Sequence, residues 1–232
     1  MNLVITRMGI LKKLDNISIE QFKKYWLEVH APIAAKIPNL LKYHQNHVVN
    51  SAQLGIEYRR SSHIVDGFSQ LWFSNLEDMQ EGFSSEIVEL IDKDEKKFIG
   101  QLSLVTVKQN IVIPVINDKP LIKRMSLLKR RPDVDKKTFQ YEWAEVHSEY
   151  LKAMPNVKGY IQNHIISNDD MRKTSNLLID SKIDGIVELW FEDVKSLEEA
   201  FGSENGQKTM AHASTFIEEI STFLVETHEI ID

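Results

Sequence analysis

The chain has 232 residues, of which 42% are hydrophobic and 27% are charged, and its formal net charge at pH 7 is −6. This length and composition are typical of a globular protein with two small domains, and the excess of acidic side chains argues against nucleic acid as a partner. Because cysteine is absent, disulfides, thiolate metal sites, iron–sulfur clusters and a cysteine nucleophile are excluded.

The first predicted element is a β-strand at residues 3–11, where short apolar and branched side chains follow one another. Arg7 interrupts this run and no small-residue cleavage site follows it, so the stretch does not have the pattern of an export signal. No later stretch has the roughly 18 consecutive apolar residues of a membrane-spanning helix. We therefore expect a cytoplasmic protein without a membrane partner.

A helix is predicted between Ser18 and Pro38. Ser18 is followed three residues later by Gln21, which is the pattern of a capping box, and the helix is expected to end before Pro38. His30 lies in the second half of this helix, one turn beyond a tryptophan. Apolar side chains at helical spacing form one stripe, namely Phe22, Trp26, Val29 and Ile33.

Two strands follow, at residues 43–48 and 68–73, and the period-two alternation of side chains gives each of them two unlike faces. The segment between them, residues 51–65, has no periodicity and is long enough to be a functional flap. A helix at residues 76–97 and a strand at residues 102–112 complete this half. The polar strand faces carry Tyr43, Gln45 and His47 on the first strand and Gln70 and Trp72 on the second.

The same elements are then repeated. The stretch FKKYWLEVHAPIAAKIPNLLKYHQNHVVN at residues 22–50 returns as FQYEWAEVHSEYLKAMPNVKGYIQNHIIS at residues 139–167, and residues 66–86 return at 184–204, so the offset is 117 and then 118 (139 minus 22, and 184 minus 66). A period of this length indicates a duplicated domain rather than a solenoid. The other predicted elements of the second copy are strands at 121–128, 186–191 and 217–226, a helix capped by Asp135, a flap at 168–183 and a helix at 194–212.

Each half therefore has the order β-α-β-β-α-β of a ferredoxin-like domain, and we place the two domains at residues 1–113 and 119–232. Two helices cover only one face of a four-stranded antiparallel sheet, so the other face needs a partner. We predict an α+β fold in which the two ferredoxin-like halves pack sheet to sheet as a barrel within one chain. Because one chain supplies both sheets, a homodimer through the outer surfaces is not needed for folding.

The lumen of this barrel is the predicted pocket for a small-molecule substrate. We expect the polar strand faces of both halves to point into it. The predicted lining consists of Tyr43, Gln45, His47, Gln70 and Trp72 with their counterparts Tyr160, Gln162, His164, Glu188 and Trp190.

These residues carry a family resemblance. The pattern FxxYWxxxHAP…P…YxQNH, followed by DGxxxLWF, resembles the EthD domain of the dimeric α/β-barrel superfamily, and the chain resembles two such domains fused in tandem. The resemblance implies ether degradation, cofactor-independent oxygenation or dehydration as activities. In the second half His147-Ser148-Glu149 replaces His30-Ala31-Pro32, so chemistry that depends on the full motif is expected in the first half.

Two histidines are the predicted catalytic residues. His30 and His147 lie beside apolar side chains, and an imidazole, whose ordinary pKa is about 6.5, can act as a general acid or base at neutral pH. Structural interpretations stay open, because His30 can close a turn before Pro32, tryptophans are often core residues and buried polar groups are usually satisfied internally. Trp26 and Trp72 are predicted to stack on an aromatic substrate, and their counterparts Trp143 and Trp190 are predicted substrate-binding residues.

The leading hypothesis for function is a small-molecule oxidoreductase, such as a monooxygenase, or a lyase that acts on an apolar or aromatic substrate. No organic cofactor is predicted, since the 9 glycines form no GxGxxG or phosphate-binding loop, and no metal, since the spacing of metal ligands is absent. A non-catalytic binding or sensing barrel is the alternative. The superfamily resemblance also implies a haem-using monooxygenase with His30 or His47 as the axial ligand.

Overall fold

A computed structural model describes residues 4–116, 119–167 and 183–232. The first half contains strands β1 (Ile5–Lys13), β2 (Lys42–Asn50), β3 (Gly67–Phe73) and β4 (Ile99–Ile113) and helices α1 (Ile19–Tyr25), α2 (Ala31–Ala34), α3 (Leu76–Phe83) and α4 (Ile87–Glu95). The second half contains strands β5 (Ile122–Arg130), β6 (Gly159–Ser167), β7 (Gly185–Phe191) and β8 (Ile217–Ile231) and helices α5 (Lys136–Tyr141), α6 (His147–Lys152), α7 (Val194–Gly202) and α8 (Glu204–Phe216). The first residue of the predicted opening strand and nearly all of the second predicted flap, residues 168–182, lie outside the described residues.

The eight strands form one closed antiparallel barrel in the order β1-β3-β2-β8-β5-β7-β6-β4. Each half contributes four consecutive positions in the ferredoxin-like order, which confirms the predicted fold class. The halves join edge to edge, because β2 pairs with β8 and β4 pairs with β6. The strands β4 and β8, with 15 residues each, are long enough to reach past their own half. Closure satisfies the backbone groups of all four sheet edges.

The repeated helix begins and ends as its sequence predicts. The Ser18 hydroxyl accepts a hydrogen bond from the Gln21 backbone N–H, and the Gln21 side-chain oxygen accepts one from the Ser18 backbone N–H, so the capping box is present. The Asp135 carboxylate caps α5 by accepting hydrogen bonds from the backbone N–H groups of Lys137 and Thr138. After each helix the repeated Pro-Asn pair turns the chain, and Asn39 and Asn156 have left-handed backbone φ angles of 61° and 66°. Asparagine is one of the few residues that tolerates this conformation.

In each half, the second predicted helix is divided into two helices in the structure. Residues 76–97 form α3 and α4, and residues 194–212 fall within α7 and α8. In the second half the break occurs at Ser203, whose backbone is extended and whose hydroxyl accepts a hydrogen bond from the Gly206 N–H. A serine cap of this kind starts a new helix axis. Within the described ranges no helix has the length and hydrophobicity needed to cross a membrane.

Candidate functional site

The interior of the barrel is packed with side chains, so the predicted open lumen is wrong. Phe68 and Met125 belong to an apolar cluster inside the barrel and are both 0% exposed. A buried ion pair occupies the rest of the interior, with Lys123 Nζ 2.6 Å from the Glu188 carboxylate. Gln70, also 0% exposed, donates a hydrogen bond of 2.9 Å to Glu188. This network ties the two halves together and leaves no room for a substrate beside these residues.

The register of the strands divides the predicted site residues between two faces of the sheet. His44 pairs with Gln70 and Gln45 pairs with Ser69, and because side chains alternate along a strand, Gln45 and Gln70 point in opposite directions. The sequence reveals which residues share a face of one strand, but not how two strands are aligned. The helix-covered outer face carries Tyr43, Gln45, His47, Tyr160, Gln162 and His164, whereas Gln70, Trp72, Glu188 and Trp190 face the interior.

A cavity of about 30 Å³ lies between the outer face of the sheet and the helices of the first half, and its walls include Arg7, Trp26, His30, Tyr43 and Glu95. A volume of this size holds about one or two water molecules. Three of the predicted site residues, Trp26, His30 and Tyr43, therefore meet at one cavity, although it is not the predicted one.

A π-helical turn, Trp26–His30, between α1 and α2 positions the tryptophan and the histidine. Gln45 Nε2 donates hydrogen bonds to the Trp26 carbonyl oxygen at 2.8 Å and to the Tyr43 hydroxyl at 2.9 Å. The His47 ring stacks on the Trp26 indole with 4.6 Å between ring centroids and 11° between ring planes. The repeated YxQNH pattern therefore holds the π-helical turn on the sheet. Inserted π turns of this kind occur frequently at functional sites.

His30 is paired with a buried carboxylate. Its Nδ1 lies 3.0 Å from Asp94 Oδ2, and the Tyr25 hydroxyl donates to Asp94 Oδ1 at 2.6 Å. Burial by itself raises the pKa of Asp94, but hydrogen bonds from His30, Tyr25 and Lys97 outweigh it and lower this pKa to about 2. Asp94 is therefore an anion at neutral pH and holds a proton on Nδ1 of His30. The other ring nitrogen, Nε2, is left to accept a proton.

The second half repeats the cavity but not the carboxylate. Trp143 and His147 line a cavity of about 40 Å³. His147 Nδ1 lies 3.2 Å from Nδ1 of His212, and Nε2 of His212 lies 3.2 Å from Glu142 Oε2. Burial, and secondarily the neighbouring His212, lowers the pKa of His147 to about 3. His147 is therefore a neutral imidazole at the end of a His-His-Glu chain.

Two positions of the repeat differ between the two sites, and together they change where the acidic side chain lies. At the offset of 118, Asp94 corresponds to His212, and at the offset of 117, Tyr25 corresponds to Glu142. The acidic group thus sits on the second helix in one half and on the first helix in the other. Sequence analysis missed all four residues. The aligned repeats contain a signal that could have found them, because the position of Asp94 and the position of Tyr25 both differ between the two copies.

The strand histidines are also neutral. Burial lowers the pKa of His47 to about 3 and that of His164 to about 4. Their Nε2 atoms lie 3.0 Å from Gln45 Oε1 and 3.1 Å from Gln162 Oε1, and the His164 ring packs 4.5 Å from Trp143. Both therefore position the tryptophan and glutamine of their own half.

A third cluster was not predicted from the sequence. His44, Glu229 and Asp232 offer ligand atoms that all lie within 4.8 Å of one another, because β8 pairs with β2. Lys42 Nζ lies 2.5 Å from Asp232 Oδ1 and already provides a positive charge there. The cluster has the residue types of a cation site, but it is partly neutralised by the protein itself.

Neither predicted axial ligand has space for a porphyrin. The cavity beside His30 measures about 30 Å³, whereas pockets for drug-sized ligands are on the order of 300 to 1,000 Å³. The His47 ring stacks on Trp26 at 4.6 Å, has His228 4.5 Å away and is 2% exposed. The residues present therefore do not fit a haem group.

Comparisons with known proteins agree with this fold. A family model described as the EthD domain matches residues 14–101 and 131–220. A search of curated proteins found no match. Among solved structures, an anthrone oxidase-like protein has a TM-score of 0.65 at 8% identity, covering 100% of this chain and 95% of that one.

Two further solved structures are similar at comparable identity. A protein from Lactobacillus acidophilus NCFM that is provisionally named a monooxygenase has a TM-score of 0.57 at 10% identity, covering 97% of this chain and 94% of its own. A variant of chlorite dismutase from Candidatus Nitrospira defluvii has a TM-score of 0.52 at 12% identity, covering 96% and 91%. At these identities the likeness concerns the fold.

Proposed function

Because the chain belongs to the EthD domain family, with two tandem copies of the domain, we propose that it is a small-molecule enzyme of the oxidoreductase or lyase kind. The reaction begins with proton transfer to His30. The observation that carries this proposal is the buried pair of His30 and Asp94 beside an apolar cavity. A carboxylate that fixes the tautomer of an imidazole and stabilises its protonated form is the arrangement of an efficient general base.

The cavity also has the groups that a deprotonated substrate requires. The indole of Trp26 offers a flat apolar surface, and Arg7 lines the same cavity with its guanidinium 3.8 Å from the Phe83 ring. A cation near the site stabilises the negative charge that develops as the proton leaves. The favoured substrate is therefore an apolar or aromatic molecule with an acidic C–H or O–H group. No organic cofactor is needed for this first step.

Two outcomes follow from the substrate anion. In an oxygenation, the substrate carbanion transfers electrons to dioxygen, which is the oxidant, and a C–O bond forms. Protonated His30 returns its proton to the peroxide oxygen, and loss of water from the resulting hydroperoxide breaks the O–O bond and leaves a carbonyl group on the substrate. In a dehydration, the anion expels a hydroxyl group from the neighbouring carbon, and protonated His30 returns its proton so that water leaves. Both outcomes use the same base. The name of the anthrone oxidase-like structural neighbour supports an anthrone as the probe for the first outcome, because its CH₂ group is acidic and lies between aromatic rings.

The cavity in its present form is closed, so substrate binding requires the helices that cover it to move. This closed state also favours a second candidate function, a non-catalytic binding barrel. In that case the His30–Asp94 pair would serve stability, since buried polar groups need partners.

Replacement of His30 by Gln separates these functions. With anthrone as substrate and dioxygen uptake as the assay, loss of a general base is expected to lower kcat by about 10² to 10⁴. The fraction of folded protein is measured in parallel by thermal denaturation. His147→Gln is the matched control, because His147 lacks the carboxylate partner and its effect on kcat is expected to be small.

Three results would contradict the proposal. They are unchanged turnover in His30→Gln after correction for the folded fraction, equal losses of turnover at both histidines, and no turnover of any probe by the wild-type protein while ligands still bind. The last result would favour the binding barrel.

A further inference from the structure

A buried arginine in the second half has no acidic partner among the described residues. Arg124 is 3% exposed and lines the cavity of about 40 Å³ with its side chain. Its Nη1 donates a hydrogen bond of 3.0 Å to the Leu54 carbonyl oxygen, and its guanidinium lies 4.6 Å from the Phe201 ring. Its Nε is buried without a hydrogen-bond partner among the described residues. Such a group is costly to bury.

The first half has an acidic residue at the position where the second half has none. Arg7, the counterpart of Arg124, lines its cavity together with Glu95. At the offset of 118 the counterpart of Glu95 is Ala213, which lines the second cavity. Among the described residues that form the walls of the second cavity, none is an aspartate or glutamate. The second half therefore has the cation, but a methyl group where the first half has the acid.

We propose that the second cavity is a binding site for a small organic carboxylate, held by Arg124. A carboxylate provides the charge and the acceptor oxygens that the guanidinium lacks, and a charge-assisted hydrogen bond in an apolar surrounding is a strong one. Burial lowers the pKa of Arg124 to about 9, so that it is still charged at neutral pH. The proposal does not depend on catalysis at His30.

The walls of the cavity favour a carboxylate with an apolar body over an inorganic anion. Trp143 and Phe201 line it together with aliphatic side chains such as Val187. A strongly hydrated dianion would lose its water without receiving enough donors in return. An alkyl or aryl group gains free energy from the same surroundings, at roughly 25 cal/mol for each Å² of apolar surface buried.

A loop of the first half covers this site. Ile56 belongs to the wall of the cavity, and Gln53 binds β8 by donating a 2.8 Å hydrogen bond to the Ile220 carbonyl oxygen. Tyr58 donates a hydrogen bond of 2.8 Å to the Ile217 carbonyl oxygen. The predicted flap is therefore anchored on the other half of the chain. The cavity of about 40 Å³ is smaller than propionate or benzoate, so a ligand reaches Arg124 only when this cover lifts and the cavity widens, and slow association is expected.

Calorimetric titration at pH 7 with propionate and benzoate tests the proposal, with propionamide and benzamide as neutral ligands of the same shape. We expect saturable binding of one carboxylate per chain and at least tenfold weaker binding of the amides. Arg124→Met should weaken carboxylate binding at least tenfold and fold normally, because removal of a buried unpaired charge is often neutral or stabilising.

Ala213→Glu provides a second variant in which Arg124 is retained. It restores the acid found in the first half and should compete with the ligand, so binding is again expected to fall at least tenfold. Absence of saturable carboxylate binding to the wild-type chain, equal affinity for carboxylates and amides, or undiminished binding in folded Arg124→Met would each overturn the proposal. None of these results bears on the His30→Gln assay, so the two proposals fail independently.

Discussion

The glycine of the repeated Asp-Gly pair is predicted to be required by the tryptophan of the repeated helix. A Cβ at Gly67 would lie 2.3 Å from Cζ3 and 2.8 Å from Cη2 of Trp26, whereas ordinary contacts begin at 3.4 Å. The ring would therefore have to move by about 1 Å, which a packed interior resists. The indole is 1% exposed and is held between Phe22 at 5.4 Å and His47 at 4.6 Å. Gly67 is not among the residues with positive φ, so the clash is the reason for the glycine.

We expect Gly67→Ala to lower the free energy of unfolding by about 3 kcal/mol, the upper end of the range for overpacking. Urea denaturation measures it, with Gly202→Ala as the control, since a Cβ there meets nothing within 4 Å and alanine should stabilise a helix by about 0.5 to 1 kcal/mol. Trp26→Phe removes the clashing atoms, so Gly67→Ala should cost less than about 1 kcal/mol in that background. Equal costs in both backgrounds would refute the steric explanation.

Three further predictions concern charge. Burial lowers the pKa of three buried histidines and of the half-buried His164, to about 4 for His44 and His164 and to about 3 for His47 and His147. These side chains stay neutral in the folded protein, so stability should be greatest above about pH 6.5 and fall towards pH 4, by up to about 1.4 kcal/mol per pH unit for each histidine. Constant stability from pH 7 to pH 5 in urea denaturation would contradict this. Asp94→Asn should lower kcat, because it removes the carboxylate that pairs with His30. Hydrogen bonds lower the pKa of Asp94 from 3.8 to about 2. The wild-type protein should therefore exceed the variant in free energy of unfolding by a constant amount above about pH 4, and this difference should shrink by about 2 kcal/mol towards pH 2. Lys123→Met should lower the free energy of unfolding by about 3 to 5 kcal/mol, because it leaves the Glu188 carboxylate buried without its cation. The double variant with Glu188→Gln should lose less stability than the sum of the two single variants. Additive losses would disprove the coupling.

The fold could be predicted because the sequence contains two copies of the same pattern of elements. A capping box at Ser18, the Pro-Asn turns and the alternation in each strand are local signals, and the repeat showed that they belong to one unit. Four-stranded sheets with helices on one face have few ways to cover the other. Fold class therefore followed from local pattern together with duplication.

The site was harder to predict because it depends on register. Gln45 and Gln70 occupy similar polar positions in their strands, but β2 and β3 are aligned so that these side chains lie on opposite faces of the sheet. A register is set by side-chain packing and turn geometry across the whole sheet. Asp94 was missed for a related reason, since only the packing of α4 against the π-helical turn brings it to His30, 64 residues earlier.

The fused chain allows the two sites to differ, which a symmetric homodimer does not. In a homodimer of identical domains, an Asp94→His change would appear in both sites at once. Here one copy has kept a histidine with a carboxylate partner and an arginine beside a glutamate, and the other has a His-His-Glu chain and an arginine beside Ala213. Glu95 has no acidic counterpart in the second half, where Ala213 stands, and the acid that corresponds in role to Asp94 is Glu142, at the start of the π-helical turn Glu142–Val146. Under the two proposals, a cavity with no acidic side chain among its described wall residues binds an anion, and a base paired with an acid abstracts a proton, so the same duplicated motif would serve two different tasks within one barrel.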